Sequence, residues 1–577
     1  MTYKWNYLTL TTDQKNKLNE LTKEIKIDPI LAEVLVKRGI TSVDEADKFL
    51  NPSLEHLHDP FLMPDMEKAI KRIEKALGNK ERILVYGDYD VDGTTAVSLV
   101  FKFLRKITNN IDYYIPDRKD EGYGISVQGI DYALNTDVKL IISLDCGIKA
   151  VEKVAYAKEK GIDFIICDHH MPGEVLPDAV AVVDAKREDS IYPYSELSGC
   201  GVGFKLVHAF SIRNGFEFSE IEHLLDLVAV SIAADIVPIT GENRVLMHYG
   251  LKQLNSNPSH GLRGIIDICG LNKRDISVND IAFKIGPRIN ASGRMMNGKE
   301  AVELMLANDM PQARKKALAI DKYNEDRREL DKKITDEAFE YVDTVLRNND
   351  YKSIVIYNED WHKGIIGIVA SRLTEKYYRP AVILTKSGDT ISGSARSANN
   401  FDVYKAIESC SDILENFGGH TYAAGLTLKE ENFPEFKRRF EHISFKEIES
   451  KMMQPQIIID AYIQLDKITP KFVQDLALFS PFGPENADPL FVTQNVYDSG
   501  GSKLVGRGFH HIKLELVDKS IETPIQAIAF SSDSHFKRIK EKQPVDICYT
   551  IEENKHGAKS YTQLMIKDIK DKPSVQD

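Results

Sequence analysis

The chain is short of cysteine, with six in 577 residues, at positions 146, 167, 200, 269, 410 and 548. None forms a C-x-x-C pair. Zinc ribbons need paired thiolates and disulfide frameworks need regularly spaced ones, so both are argued against; scattered thiols read as small hydrophobes in a reducing compartment. Long hydrophobic runs are missing too. No stretch approaches the ~20 apolar residues of a membrane span, and the start, MTYKWNYLTLTTDQKNK, has no apolar signal core. A cytoplasmic protein without membrane attachment is expected. Nor is there surplus positive charge, since the formal net charge is −12. That counts against a protein that coats nucleic acid indiscriminately, whose affinity comes from neutralising phosphates. It leaves room for a local basic groove, and for a carboxylate metal site whose charge bound cations offset.

What is present is ordinary globular material, 42% hydrophobic and 28% charged, which excludes disordered and fibrous classes. At ~100–200 residues per domain, three to five units are expected. Residues 1–66 read as a helical and irregular segment, with DPILAEVLVKRGI a helix and NPSLEHLHDPFLMPD a proline-punctuated connection. Over 67–300, RILVYG, KLIISLDCG, DFIICDHH and AVAVVDA alternate with helical patterns such as AVEKVAYAKEKG. Runs apolar enough for burial on both faces, alternating with helices, predict an α/β domain with a parallel sheet. Residues 301–349 read as one long charged helix, a solvated connector. A second α/β region is expected over 350–450, opening with KSIVIYNEDWHKGIIGIVASRL. Short alternating strands over 451–577, such as HIKLELVD and PIQAIAF, predict a small β-barrel of the OB type.

The most unusual stretch is YGDYDVDGTT, Tyr86 to Thr95. Asp88, Asp90, Asp92 and Gly93 satisfy the opening of an EF-hand calcium loop, but Leu99 stands where the closing bidentate glutamate belongs. A strand, not a helix, precedes the loop. Ligands of an open parallel sheet sit beyond the carboxyl ends of its strands. RILVYG leads there to Asp88, Asp90 and Asp92, KLIISL to Asp145, and DFIIC to Asp168, His169 and His170. Asp235, ending the apolar stretch SIAADIVPI, could close the cluster from the side. Each of these residues alone reads as a helix cap or a solvated group. Converging carboxylates without a cation would repel one another, each desolvated charge costing several kcal/mol. Aspartates with one or two imidazoles suit manganese or magnesium, and there are ligands for two ions. A metal pair ~3.5–4 Å apart can acidify a water and stabilise both oxygens of an in-line displacement at phosphorus.

DYDVDG, SLDCG, DHH and AADIV, in that order, resemble the successive motifs of the DHH phosphoesterase superfamily. GPRINASGRM and FGGHTYAAG narrow the resemblance to the RecJ family of bacterial single-strand-specific 5′ to 3′ DNA exonucleases, colinear from about residue 84 to 426. It implies a DHH catalytic domain, a DHHA1 substrate-binding domain and an OB domain. It further implies metal ligation by Asp88, Asp90, Asp92, Asp145 as the bridging ligand, His169 and Asp235, with His170 facing the scissile phosphate. Members acting on small phosphates carry a histidine near the place of Leu84; Asp92 is the residue that would substitute.

End specificity requires a stop that recognises the terminal phosphate. Arg118 in IPDRKDEGYGIS, with Ser394 and Arg396 in ISGSARS, offers bidentate guanidinium and hydroxyl donors for it. Gly418, Gly419 and His420 let backbone N–H groups approach an anion, and Arg288 and Asn290 are expected at the next phosphates or, alternatively, in a structural hinge between the domains. The N-terminus of the helix in WHKGIIGIVASRL is expected to face nucleic acid. The resemblance thus implies a monomeric exonuclease, dependent on two Mn²⁺ or Mg²⁺ ions, that releases 5′-mononucleotides from single-stranded DNA in repair and recombination. Single-strand-binding protein and a RecQ-type helicase are the partners it suggests. Two other readings follow from the same superfamily: a phosphodiesterase for short oligonucleotides or cyclic dinucleotides, and a non-catalytic replication scaffold.

Overall fold

In a computed structural model, which describes residues 3–345, 351–398, 400–449, 455–556 and 559–571, the first apolar runs form one five-stranded parallel sheet. Its spatial order is Ile111–Tyr114, Arg82–Gly87, Val138–Leu144, Asp163–Cys167, Ala181–Val183. The first of these strands, IDYY, is only partly buried and too polar to read as an apolar run. Register matters most for function. Gly87 pairs with Leu144, Leu144 with Cys167 and Cys167 with Val183, so four strands end level with one another. Whatever follows them in sequence therefore emerges at one height.

Helices cover the sheet. The Val91–Arg105 helix begins at Asp90, whose Oδ1 accepts from Gly93 N at 3.1 Å, and it is buried along most of its length. The Gly199–Asn214 and Leu225–Ala234 helices are also buried along most of their length. The charged stretch forms the 36-residue helix Met310–Val345. It is not wholly solvated as expected: Ala313, Ala317, Ile320, Asn324, Asp331, Ile334, Ala338 and Val342 recur every three to seven residues as a buried stripe. The expected ends of that helix at 349 and of the next domain at 450 lie outside the described residues.

Beyond the helix a second five-stranded sheet runs in the order Asn416–His420, Ala423–Leu428, Thr390–Arg396, Ala381–Ser387, Ile354–Tyr357. Only its last pair is parallel. These elements belong to one compact unit, His58–Val237 with Tyr249–Pro455.

The other unit joins Met1–Leu57, Pro238–His248 and Gln456–Asp577. Its strands Phe491–Asp498, Val545–His556, Lys559–Asp571, Ile525–Ala529 and His511–Val517 pair in that order, and the last pairs back to the first, closing an OB-type barrel. The amino-terminal helices do not stand apart from it. Leu21, Leu31 and Leu35 share a core with Phe472, Phe479 and Leu514, and the strand Lys4–Tyr7 pairs with Gln456–Ile459. Arg244, 2% exposed, donates to the carbonyls of Phe49, Leu478, Phe479, Ser480 and Pro481. No helix among the described residues is long and apolar enough to cross a membrane.

Candidate metal centre

The level strand ends deliver Asp88, Asp145 and Asp168 side by side. Asp145 takes a left-handed backbone, φ 59°, which Asp tolerates better than most residues, and its N–H donates to Cys167 O at 3.0 Å. Asp235 arrives separately, at the C-terminus of the Leu225–Ala234 helix. His169 lies in the middle. Its Nε2 is 3.1 Å from Asp145 Oδ1 and 3.7 Å from both Asp92 Oδ2 and Asp235 Oδ2. Ligand atoms of Asp145, His169 and His170, and those of Asp92, His169 and Asp235, fall within 4.8 Å of one another, giving two groups that share His169. Asp88 and Asp90 are on the same rim outside those triads. Asp90 spends one oxygen on its helix cap, whereas Asp88 Oδ2 is buried without any partner.

Asp92 is held by residues that the sequence reading passed over. Its Oδ2 accepts from Gly199 N at 2.6 Å and its Oδ1 from Cys200 N and Ser231 Oγ, each at 2.7 Å. The N-terminus of the Gly199–Asn214 helix thus grips a carboxylate through its free N–H groups. Gly199 is required for the approach, because a Cβ there would sit 2.6 Å from Asp145 Cβ. Asp184 was passed over as well. It follows the fourth level strand, is fully buried with Oδ2 unpartnered, and burial pushes its carboxyl up to about 7. The signal was an acid directly after AVAVV.

Charge in this rim is badly balanced by the protein alone. Burial, and then Asp92, Asp90 and Asp235, push Asp145 well above the carboxylate range. Burial followed by neighbouring aspartates does the same to Asp88 and Asp235. His169 is shifted down by burial, toward the neutral form that ligates metals, and its Nδ1 is buried without a partner. His170 and Asp168 behave as an ion pair instead. Burial opposes charging both, but their 2.7 Å contact prevails, holding Asp168 at about 2 and raising His170 to about 9. Oxygen-rich donors, a neutral imidazole and orphaned buried polar atoms fit hard divalent cations such as Mn²⁺ or Mg²⁺, and the cluster contains no thiolate to favour zinc.

An anion-receptive region accompanies it. The Arg118 guanidinium lies 5.0 Å from the centroid of the Tyr89 ring. Arg396 donates to Ser394 Oγ at 3.1 Å and to Ala395 O at 2.8 Å. Arg294, absent from the sequence-based candidates although it lies within the quoted GPRINASGRM, donates to Gly364 O at 3.2 Å. Among the described residues none of the three has a carboxylate in ion-pair range. Burial, then Arg118, Arg327 and Arg396, lower Arg294 to about 10. Gly418, Gly419 and His420 line a cleft of about 870 Å³ together with Asp90, Asp145, His170, Asp235 and Lys363. Gly419 is needed there, with φ 145° and a would-be Cβ 2.4 Å from Ala423 O.

Two expected phosphate ligands are engaged elsewhere. Arg288 Nε binds Asp321 at 2.7 Å and its Nη1 binds Lys284 O at 2.9 Å. Asn290 Oδ1 accepts from Val91 N at 3.1 Å, helping to cap the helix of the acidic loop. Both contacts tie these side chains to neighbouring elements of the same unit.

Family models now define the class. The model described as "DHH family, N-terminal domain" matches residues 82–232, "DHHA1 domain" 350–444 and "RecJ OB domain" 459–568. Similar curated proteins include several named "Single-stranded-DNA-specific exonuclease RecJ". That of Bacillus subtilis is 35% identical over 557 residues, 96% of this chain and 69% of the relative. That of Salmonella typhimurium is 30% identical, covering 95% and 97%. The crystal structure of RecJ from Thermus thermophilus in complex with Mn²⁺ matches with a TM-score of 0.84 at 25% identity, covering 99% of this chain and 80% of that one. The chain belongs to the RecJ family.

Proposed function

We propose that the protein is a metal-dependent exonuclease that degrades single-stranded DNA from the 5′ end, releasing 5′-mononucleotides in repair and recombination. The observation that carries this reading is the convergence of Asp92, Asp145, His169 and Asp235 from four separate segments on one buried rim. With Asp88 and Asp90 beside them, these residues would hold two divalent ions. Bound there, Mn²⁺ or Mg²⁺ supplies Lewis acidity to phosphoryl oxygens and lowers the pKa of a water. The protein's own groups do the rest. His170, kept protonated by Asp168, faces the cleft and offsets charge building on the scissile phosphate. Asp92, fixed by three donors, cannot swing away when a ligand arrives.

Arg118, Arg294, Ser394 and Arg396 supply guanidinium and hydroxyl donors, the arginines forming no ion pair among the described residues, and so a suitable stop for a terminal phosphate. Gly418, Gly419 and His420 form the cleft wall along which the strand would pass. In the barrel unit, Phe509 and Phe530 are 65% and 54% exposed and offer stacking faces for bases. The reading extends to a cytoplasmic monomer working beside single-strand-binding protein and a RecQ-type helicase; the family resemblance supports that extension. A scaffold without catalysis is disfavoured by the full set of candidate ligands.

The test is digestion of linear and circular single strands with Mn²⁺. Linear strands should disappear from the 5′ end while circles persist. Digestion of circles would remove end recognition from the proposal. A rate that collapses on strands longer than a few nucleotides would favour the short-oligonucleotide phosphodiesterase.

A further inference from the structure

We propose that Tyr89, the residue between the first two acids of the loop, is the positioning residue that aims Arg118 at the terminal phosphate. The proposal rests on the end-recognition reading above. Arg118 is unusual among the cations of the site. Its guanidinium has neither an ion-pair nor a hydrogen-bond partner among the described residues, and it lies over the face of the Tyr89 ring, 5.0 Å from the centroid. Its backbone is fixed by the turn around it: Asp117 Oδ1 accepts from Lys119 N at 2.8 Å and from Asp120 N at 3.2 Å, and Asp117 O from Glu121 N at 2.9 Å. The tip depends on the ring.

That tip sits in an unfavourable field. Arg118 is a like-charge neighbour of Arg294, Arg396 and Lys363, each of which its charge pushes down. The attraction of Asp88, whose carboxyl the Arg118 charge pulls down, offsets part of this repulsion, but Asp88 forms no ion pair with Arg118 among the described residues and so does not fix the orientation of a long side chain. The negative face of an aromatic ring does. A carboxylate would hold Arg118 more strongly, but it would also neutralise the charge and occupy the donor fork. A π face leaves all five N–H donors free for an incoming phosphate.

The ring itself is firmly placed. Gly293 and Gly298 lie against the Tyr89 backbone, where a Cβ would fall 2.5 Å from Tyr89 O and 3.0 Å from Tyr89 Cα respectively. The edge of Tyr123 meets the ring at 6.3 Å between centroids and 82° between planes, a favourable T-shaped pair. Tyr89 thus links the metal loop to the phosphate donors without ligating either.

The test compares steady-state cleavage of 5′-phosphorylated and 5′-hydroxyl single strands by Mn²⁺-loaded wild type, Tyr89→Phe, Tyr89→Leu and Arg118→Ala. Tyr89→Phe keeps the ring and should stay within about twofold of wild type. Tyr89→Leu should raise KM for the phosphorylated strand about tenfold, the size of a partly desolvated cation–π contact, with kcat and the hydroxyl-strand KM little changed. The Mn²⁺-induced rise in melting temperature should be the same in Tyr89→Leu as in wild type. If Arg118→Ala loses the phosphate preference and Tyr89→Leu keeps it, the role of Tyr89 is overturned and end recognition stands. Loss of the Mn²⁺ shift in Tyr89→Leu would make it a structural part of the metal loop, also overturning the proposal. A wild type indifferent to the 5′-phosphate would overturn end recognition and this inference together.

Discussion

Replacing Asp145 by Asn should make the metal-free protein no less stable, while abolishing its response to metal. Asn tolerates the left-handed backbone at φ 59°, and its amide oxygen can keep the 3.1 Å contact with His169 Nε2. What disappears is one charge among Asp92, Asp90 and Asp235, which together with burial raise the Asp145 pKa well above its usual value. Each pKa unit of such elevation corresponds to about 1.4 kcal/mol of penalty on the charged form. A carboxyl whose folded pKa lies above the unfolded value of about 3.9 binds more protons folded than unfolded between the two, so stability falls as pH rises through that window. The advantage of Asp145→Asn over metal-free wild type should therefore grow from pH 5 to pH 8. Metal reverses the order. Each ion at about 100 times its Kd adds about 2.7 kcal/mol, and at roughly 1–2 °C per kcal/mol for a unit this large two ions raise wild-type Tm by about 5–10 °C. Asp145→Asn should gain less than half of that and lose more than about a hundredfold in cleavage rate, beyond the usual effect of an outer-shell change. Calorimetry with and without Mn²⁺ at pH 5, 6.5 and 8 measures the first two, and a single-strand digestion assay the third. A variant that melts well below wild type without metal, yet gains as much with Mn²⁺, would refute the idea that Asp145 belongs to an electrostatically frustrated cation site.

Gly199→Ala should fold, since Ala suits a helix, but its methyl would contest the 2.6 Å approach to Asp145 Cβ; Mn²⁺ titration should show affinity weakened about tenfold or more. His208, with Nδ1 buried and unpartnered and burial lowering it to about 4, binds fewer protons folded than unfolded between pH 4 and about 6.5. Stability should thus fall as pH falls through that range, by up to about 3 kcal/mol, and urea melts of His208→Phe should show a flatter dependence there. Arg288→Ala should cost about 1–3 kcal/mol through the lost Asp321 pair and leave KM for 5′-phosphorylated strands near wild type, whereas Arg396→Ala should raise that KM; the opposite pattern would return Arg288 to the DNA.

The acids of the site were legible because a parallel sheet converts order into proximity. Asp88, Asp145 and Asp168 each follow an apolar run, and level register at Gly87, Leu144 and Cys167 brings them together with no further information needed. Helical residues lack that guarantee. Arg288 and Arg294 stand six apart on the Gly286–Met295 helix, about 240° around its axis at 3.6 residues per turn. One turns to Asp321 and the other toward Arg118 and Arg396. Both motif arginines look alike in sequence, and only packing decides between them. The contact of Asn290 was illegible for a related reason: its amide oxygen caps a helix that starts nearly 200 positions earlier, a partnership no local pattern announces. The amino-terminal helices posed the same difficulty, since their core partners, Phe472 and Phe479 among them, lie more than 400 residues away.

An acidic chain that acts on a polyanion faces an electrostatic obstacle, and the arrangement here suggests how it is removed. The carboxylate rim and the arginine group influence one another, Asp90 pulling on Arg294, yet among the described residues Arg118, Arg294 and Arg396 form no ion pair with an acid. Had they paired, both sets of charge would be satisfied internally and neither would attract a ligand. Kept apart, the acids lack cations and the arginines lack anions, so metal and DNA each supply what the protein withholds. Loading the rim with divalent ions changes its sign toward the backbone phosphates, which predicts that binding of single strands and binding of Mn²⁺ are positively linked. A chelator should weaken strand affinity in wild type far more than in Asp145→Asn, where one of the repelling charges is already gone; equal weakening in the two would mean that the metals serve the chemical step and contribute nothing to holding the strand.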